Sequence, residues 1–466
     1  MEQLSGLDAA FIHQDSYRTP MHITAVLVYD TGMDGERKIS LHDLRQLASE
    51  RLSNLPLFRR QLRQVPMGID TPYWVDATRR DWRLHIREQW LPDPGDWWSF
   101  QELLADIHGQ RMDLSRPLWE MHLIHGLDGV EYLPPHCQAL VLKVHHSAID
   151  GISLAAIINA LHRQPEQAQD DRSSNNPAPR EWELWTRAHL NTLNRQFKFA
   201  ETVGNLVPGF LRARETRGKF RDLPPVKRGG SRFNRRVRAG RNTGCMLLPI
   251  SEVIEVKHAV QRVTFNDIAL ACVSGALRAY LTCHDQLPTR SLAAGVPINL
   301  REPGDQEIAG NKIATMIVGL ATHVEDPVER LRLVHRYAVA GKKQINALGT
   351  GTIMDISDSL TPGVLAEGMK SVARTRRLMD MPVPFHTIVS NVPGPQEKMM
   401  LGNAELLVPF GLGPVRDNMG LFHIVSSSPA FMSIAFSACR RLVPDPGFYQ
   451  DCLVDSFNAL REQAVA

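Results

Sequence analysis

Cysteine is scarce in this chain: six residues, at positions 137, 245, 272, 283, 439 and 452, are spread over 466 with no CxxC pair among them. That spacing argues against both a zinc module and a disulfide framework, and it fits a reducing cytosol. Excess charge is also missing. A formal net charge of +3 is small for this length, so a general nucleic-acid-binding role gains no support. No stretch approaches the roughly 20 apolar residues that a membrane-spanning helix requires. The opening "MEQLSGLDAAF" carries Glu2 and Asp8 and lacks the apolar centre of a signal peptide. Contact with lipid, if any, is therefore expected at a surface. Common catalytic loops are absent as well: there is no GxSxG, HExxH, Walker A or GxGxxG pattern, which removes the usual serine-hydrolase, zinc-protease, nucleotide and dinucleotide readings.

What remains is an ordinary globular composition, 43% hydrophobic and 22% charged, long enough for about two domains with separate cores. "ITAVLVY" at 23–29 reads as a buried strand, and "SLHDLRQLASERL" as a helix. "PLWEMHLIHGLDGVEYLPPHCQALVLKVHH" reads as two strands around a turn containing Gly126, Asp128 and Gly129, the second running from about Ala139 to Val144. Leu154, Ile157, Ile158 and Leu161 then fall at helical spacing. From Gln164 to Arg180 the chain is polar and rich in Ser, Asn and Pro, as an exposed linker would be. After it, Trp185, Leu193, Phe197 and Ala200 outline an apolar helical stripe, followed by the most basic tract of the chain. Strands and helices mix again in the second half. In "VTFNDIALACVSGALRAYL", Thr264 and Asp267 have capping-box spacing ahead of a helix. "AAGVPINLR" reads as a strand, and "FHTIVSNVPGP" as a strand stopped by a Pro-Gly-Pro turn. The expected fold class is α/β, with a domain at 1–164, a linker at 165–240 that is polar and then helical and basic, and a second domain at 241–466.

The segment that carries chemistry is "KVHHSAIDGIS" at 143–153. Adjacent strand residues point to opposite faces, so His145 and His146 cannot both face one cleft or share a metal. A neutral imidazole, with an ordinary pKa near ~6.5, can accept a proton from a hydroxyl at neutral pH. Asp150 lies four residues past His146, so a tight turn can return its carboxylate beneath the strand end, to pair with an Arg or to hold the imidazole in one tautomer. The same residues also suit a hydrogen-bonded strand end followed by an Asp-Gly turn. Ser147 is a further nucleophile candidate, although sequence neighbours seldom have Ser–His hydrogen-bond geometry. Cys137 reads as a small buried hydrophobe rather than a reactive thiol.

"HHSAIDG" resembles the HHxxxDG signature of the chloramphenicol acetyltransferase-like superfamily. "LSGLDAAFI", "RPLWEMHLI", "FNDIAL", "VPINLR", "GNKIA" and "SNVPGP", in this order along nearly the whole chain, resemble one branch of it, the bacterial wax ester synthase/diacylglycerol acyltransferase family. The DFGWG box of the plant acyltransferases is absent.

The resemblance implies two chloramphenicol acetyltransferase-like domains with mixed β-sheets and flanking helices, joined by a long helical linker around a tunnel. It implies an O-acyltransferase in which acyl-CoA, a substrate rather than a cofactor, donates to a fatty alcohol or diacylglycerol. His146 then takes the catalytic position and attack on the thioester is direct. Asp150 has an orienting role, His145 and Gly151 complete the motif, and Gly151 lets the backbone turn where a side chain would crowd. Asn266 can donate to a developing oxyanion, or can serve only the helix start. Ser390 and Asn391 can line the tunnel, or simply end a strand. In "PLW", Pro117 is expected to start a strand and Trp119 to fill the core. "VTFNDIAL" departs from the family in carrying Phe265 where a smaller residue often precedes the Asn. The basic tract, from Arg212, Arg214, Arg217 and Lys219 through Lys227 and Arg228 to Arg232, Arg235, Arg236 and Arg238, can attract anionic lipid or CoA phosphates, or be a solvated crossover. The expected location is the cytoplasm, at a membrane or lipid-inclusion surface. The rivals are a condensation-type enzyme using carrier-bound acyl groups and a non-catalytic lipid-droplet protein.

Overall fold

The structure is a computed structural model that describes residues 2–33, 35–66, 70–77, 81–149, 154–162, 182–183, 186, 230–299, 313–348 and 384–466. Asp150, Gly151, the apolar stripe at 185–200 and the basic positions from Arg212 to Arg228 lie outside the described residues.

The strands, in chain order, are β1 Glu2–Gln3, β2 His22–Asp30, β3 Arg60–Arg63, β4 Tyr73–Asp76, β5 Ile86–Trp90, β6 Trp119–Leu127, β7 Cys137–His145, β8 Arg241–Pro249, β9 Ala293–Asn299, β10 Ile313–Gly319, β11 Thr387–Val392, β12 Met400–Leu401, β13 Ala404–Leu412, β14 Leu421–Ser427 and β15 Phe431–Cys439. The longer helices are α1 Gly6–Gln14, α2 Leu41–Leu52, α3 Trp97–Gly109, α4 Leu154–His162, α5 Ile250–Ala259, α6 Phe265–Cys283, α7 Pro327–Leu348 and α8 Pro446–Val465. The strands expected at 23–29 and in "FHTIVSNVPGP" are present, and so are the helices after Ser40 and Gly151. Thr264 and Asp267 form the full capping box of α6, which satisfies backbone donors at the helix start in both directions.

Two six-stranded mixed sheets carry the fold, in the orders β12-β13-β2-β7-β6-β5 and β10-β9-β11-β14-β15-β8, beside a small sheet β1-β4-β3. Pairs β5–β6, β11–β14 and β9–β11 are parallel, and the other pairs in the large sheets are antiparallel. The sheets do not divide at 165–240 as the sequence does. β12 and β13 belong to the stretch assigned to the second domain, yet β13 pairs along β2 from Glu405↔Asp30 to Leu412↔Thr24. The second half thus lends strands to the first sheet.

Alternation along β7 explains the layers. Leu140, Leu142 and Val144 face α2 and α4 with Leu44, Ala48, Ile157 and Leu161. Cys137, Ala139 and Val141 face the other way, toward Phe100, Leu104 and Ile107 of α3 and toward Cys245 and Ala435 of the second sheet. That second sheet is backed by α6 and α8 through Ile268, Leu277, Tyr449 and Phe457. Trp119 is 2% exposed and stacks on His85 at 4.4 Å between centroids, with Phe58 and Trp82 alongside. The "PLW" tryptophan fills the core, as expected. Burial raises the Cys137 thiol pKa to about 12, which leaves it an inert small hydrophobe.

The described end of the basic tract is anchored rather than loose. Phe233 is buried, Asn234 donates to the Phe385 and Asn418 carbonyls, and Arg232 lies over the Tyr280 ring at 5.3 Å. Arg235, Arg236 and Arg238 are exposed. Among the described residues no helix is long and apolar enough to cross a membrane.

Candidate active site

Register brings the site together. β7 runs antiparallel to β2 with His22 opposite His145, so the residue before β2 meets the residue after β7: the His146 N–H donates to the Met21 carbonyl at 2.8 Å. β13 also runs antiparallel to β2 and ends opposite Thr24, which delivers residues 413–416 to the same edge. β6 begins there too, and the His145 N–H donates to the Leu118 carbonyl at 3.0 Å. Strand ends from both halves of the chain converge on the paired histidines.

The two imidazoles part company as expected, but by a change of backbone rather than by strand alternation alone. β7 stops at His145, and His146 opens a single 3-10 turn ending at Ala148. His145 is fully buried. Its Nδ1 accepts the Ser147 N–H at 3.2 Å, and Ser147 Oγ lies 2.8 Å from the same nitrogen. A backbone N–H can only donate, so a neutral His145 carries its proton on Nε2. That atom is buried without a hydrogen bond and lies 3.9 Å from Asp15 Oδ1. Ser147 is thus the partner of His145, not of His146, and it too is buried.

His146 is half-buried. It lies against Phe11 of α1, with ring centroids 3.9 Å apart and planes 20° from parallel. Its Nδ1 is enclosed and has no hydrogen bond. Burial pushes its pKa down to about 4; the residue's own backbone opposes the shift and the Arg416 cation adds to it. Arg416 is tied by a 3.1 Å bond from Nη1 to Gln14 Oε1, so the end of α1 also holds the cation that adds to the downward shift of His146. Burial, His146 and Arg111 together push His145 down to about 3. Both rings are therefore neutral at pH 7.

Beneath the histidines the face of the sheet toward α3 is polar. Lys143, 1% exposed, donates to the Gln110 carbonyl at 2.6 Å and lies 3.5 Å from Glu120. The His22 ring bonds the His108 carbonyl at 2.5 Å, while His108 spans Thr24 at 2.9 Å and the Gly413 carbonyl at 3.0 Å. These bonds stitch β2, β7, α3 and the segment after β13 into one mount, in which the His22 Nδ1 atom is buried without a hydrogen bond.

A family model for the wax ester synthase/diacylglycerol acyltransferase catalytic domain matches residues 4–269, and one for the WS/DGAT C-terminal domain matches 309–461. The chain belongs to the wax ester synthase/diacylglycerol acyltransferase family. It is an O-acyltransferase of that family, and the resemblance first carried by "HHSAIDG" and "SNVPGP" is borne out. A probable diacylglycerol O-acyltransferase of Mycobacterium tuberculosis, tgs2, is 29% identical over 448 residues, 95% of each chain. A putative diacylglycerol O-acyltransferase of the same organism, Rv3740c, is 27% identical over 443 residues, again 95% of each. Among solved structures, a wax ester synthase/diacylglycerol acyltransferase from Marinobacter aquaeolei VT8 matches with a TM-score of 0.71 at 21% identity, covering 100% of both chains. The trichothecene 15-O-acetyltransferase TRI3 of Fusarium sporotrichioides matches at a TM-score of 0.59 and 12% identity, covering 98% of this chain and 94% of that one. At such identities these two likenesses speak for the fold alone: a mixed α/β acyltransferase architecture with two domains.

The other family motifs fall in the second half. Asn266 sits in the first turn of α6, half-buried, with its Oδ1 enclosed and unpartnered. It does not cap the helix, because Thr264 and Asp267 do. Ser390 is half-buried and Asn391 exposed near the end of β11. Among the described residues, none of these three shares a hydrogen bond or ring contact with His145 or His146. Gly394 of "SNVPGP" has a packing role: a Cβ there would lie 1.9 Å from the Ser427 carbonyl oxygen.

Around the histidines stand Phe11, which lies within "LSGLDAAFI", and Gln14, Asp15, Met21, Arg111 and Arg416, which carry no sequence signal of their own. Pairing two apolar strands, 22–30 and 137–145, in antiparallel register is the one inference that would have exposed the first four, since it sets 11–21 beside 146.

Proposed function

We propose that this O-acyltransferase moves a long-chain acyl group from acyl-CoA to the hydroxyl of a fatty alcohol or of diacylglycerol, giving wax ester or triacylglycerol, with His146 as general base. The observation that carries the proposal is the His146 ring itself: neutral at pH 7, held flat by Phe11, with Nδ1 enclosed, so that Nε2 is left for an incoming hydroxyl. The names of the mycobacterial relatives support a diacylglycerol acceptor.

In this chemistry the alcohol proton passes to Nε2 as the oxygen attacks the thioester carbonyl carbon. The tetrahedral intermediate collapses, the C–S bond breaks, and the CoA thiolate takes the proton back from the imidazolium. Asn266, whose amide the helix cap does not use, is the proposed donor to the oxyanion; one such donor is worth roughly 3 kcal/mol in the barrier. Ser390 and Asn391 are proposed to position substrate, Asp150 to orient the motif, and Gly151 to relieve crowding. Both acceptor and product are insoluble, so catalysis is placed at a lipid surface, with exposed Arg235, Arg236 and Arg238 among the cations that would face anionic headgroups.

The test is incubation with palmitoyl-CoA and either hexadecanol or dipalmitoylglycerol, following free thiol and lipid products. Ester and thiol should appear one for one, and His146→Ala should lower kcat by roughly 10²–10⁴-fold. Undiminished transfer by His146→Ala would remove the base. Turnover of carrier-protein thioesters but not of CoA thioesters would favour a condensation-type enzyme, and lipid binding without turnover a coat protein.

A further inference from the structure

A single buried carboxylate touches the supports of both histidines. Asp15 caps the C-terminal end of α1, and its side chain is 1% exposed. Oδ2 accepts from Arg111 Nε at 2.5 Å, and Oδ1 accepts from the Met21 N–H at 3.0 Å. Oδ1 also lies 3.9 Å from His145 Nε2, the buried ring nitrogen that has no hydrogen bond. Met21 in turn receives the His146 N–H on its carbonyl. The carboxylate therefore faces His145 directly and reaches the His146 backbone through one residue, Met21.

Energetics make this more than an accidental neighbour. A carboxylate taken out of water is costly unless paired and hydrogen-bonded. Burial raises the Asp15 pKa, while Arg111, the Met21 N–H and Lys143 offset that rise. Arg111 is the half of the pair nearer solvent, with 28% of its side chain exposed, and it lines a surface cleft with Tyr17, Gln64 and Leu114. Its guanidinium also lies over the Tyr17 ring at 5.5 Å. An acid anchored on one side by an arginine, and facing an imidazole N–H on the other, suits orientation of a motif better than proton transfer to substrate.

We propose that Asp15 is a positioning residue for the reaction: it fixes the His145 ring through Oδ1 and the His146 backbone through Met21, and so sets the direction in which the His146 imidazole points. The proposal rests on His146 acting as the base. Asp15 touches no reacting atom, so its loss should reduce turnover rather than substrate binding.

The experiment compares Asp15→Ala, Asp15→Asn and His146→Gln in the full chain with palmitoyl-CoA and hexadecanol. Misplacement of a catalytic group by about 1 Å costs on the order of 100-fold. Asp15→Ala should therefore lower kcat by about 10- to 100-fold, with both KM values within about twofold of wild type. Asp15→Asn keeps an acceptor for the Met21 N–H and should recover part of that loss. A kcat for Asp15→Ala within twofold of wild type overturns the inference. So does a fall in kcat accompanied by a matching rise in both KM values, because that marks general loosening. If Asp15→Ala does not fold, Arg111→Gln carries the test: releasing the carboxylate from its cation should lower kcat several-fold at constant KM, and wild-type kcat there overturns the inference. His146→Gln separates the two claims. Loss of activity in His146→Gln beside normal Asp15 variants removes the positioning role alone, whereas full activity in His146→Gln removes the base and the positioning role together.

Discussion

Phe11 lies flat on His146, ring centroid to ring centroid 3.9 Å with the planes 20° from parallel. The stack ties the first long helix of the chain to the motif at the end of β7. It restricts rotation of the imidazole about its own bond to Cβ, which a hydrogen bond to Nδ1 would otherwise have to do, and Nδ1 has none.

Removing that stack should therefore be felt in turnover. A stacked aromatic pair contributes about 0.5–1.5 kcal/mol beyond burial, so Phe11→Ala should lower kcat by about 2- to 13-fold, while Phe11→Tyr, which keeps the ring face, should stay within about twofold. Steady-state kinetics on the purified variants check this. Equal losses in both would show that the ring face is not what matters.

Acid should destabilise the fold earlier than carboxylate titration would. Burial lowers His108, His145 and His423 to about 3 and His146 to about 4, against an ordinary value near ~6.5 in the unfolded chain. Between those limits the unfolded state binds more protons than the native one, so stability rises with pH across that window. It is fully present above the unfolded value and is lost progressively as pH falls through about 6.5 toward about 3. Thermal melts should show Tm dropping steadily from pH 7 to pH 5; a flat or rising Tm over that range would contradict the burial of these rings.

Gly394 should not tolerate even a methyl group. Its hypothetical Cβ would lie 1.9 Å from the Ser427 carbonyl oxygen and 3.3 Å from Pro409 Cγ, and backbone on one side cannot rotate away. Gly394→Ala should cost about 1–3 kcal/mol of stability, in the range of overpacking. The urea midpoint checks it, and an unchanged midpoint would mean that β14 is free to shift.

Much of this molecule was legible along the chain because it is written in local periods. The run "ITAVLVY", the Thr264–Asp267 capping box and the Leu154–Leu161 stripe each record which face of a strand or helix is buried, and the chain follows them. The histidine pair was legible for a different reason: a motif of seven contiguous residues needs no tertiary information to be recognised. Domain organisation was less so. The exchange of β12 and β13 into the first sheet depends on pairing between residues 24–30 and 405–412, and an apolar strand carries no mark of which partner it will take. Local geometry likewise decided that Asn266 does not cap its helix and that Ser147, as its neighbouring position implied, does not bond His146. The cap went to Thr264 and Asp267, and a 3-10 turn aimed Ser147 back at His145.

Sequence alone therefore determined the acyltransferase family, the mixed α/β class, the "PLW" core tryptophan and the identity of the two histidines, since composition, period and contiguous motifs are properties of neighbours in the chain. Only the tertiary structure decided what surrounds those histidines. Phe11 and Asp15, Arg111, and Arg416 arrive from three separate stretches because strand register and the crossover of β13 carry them to one sheet edge. Register is set by the summed burial of whole strands, and no single residue announces it.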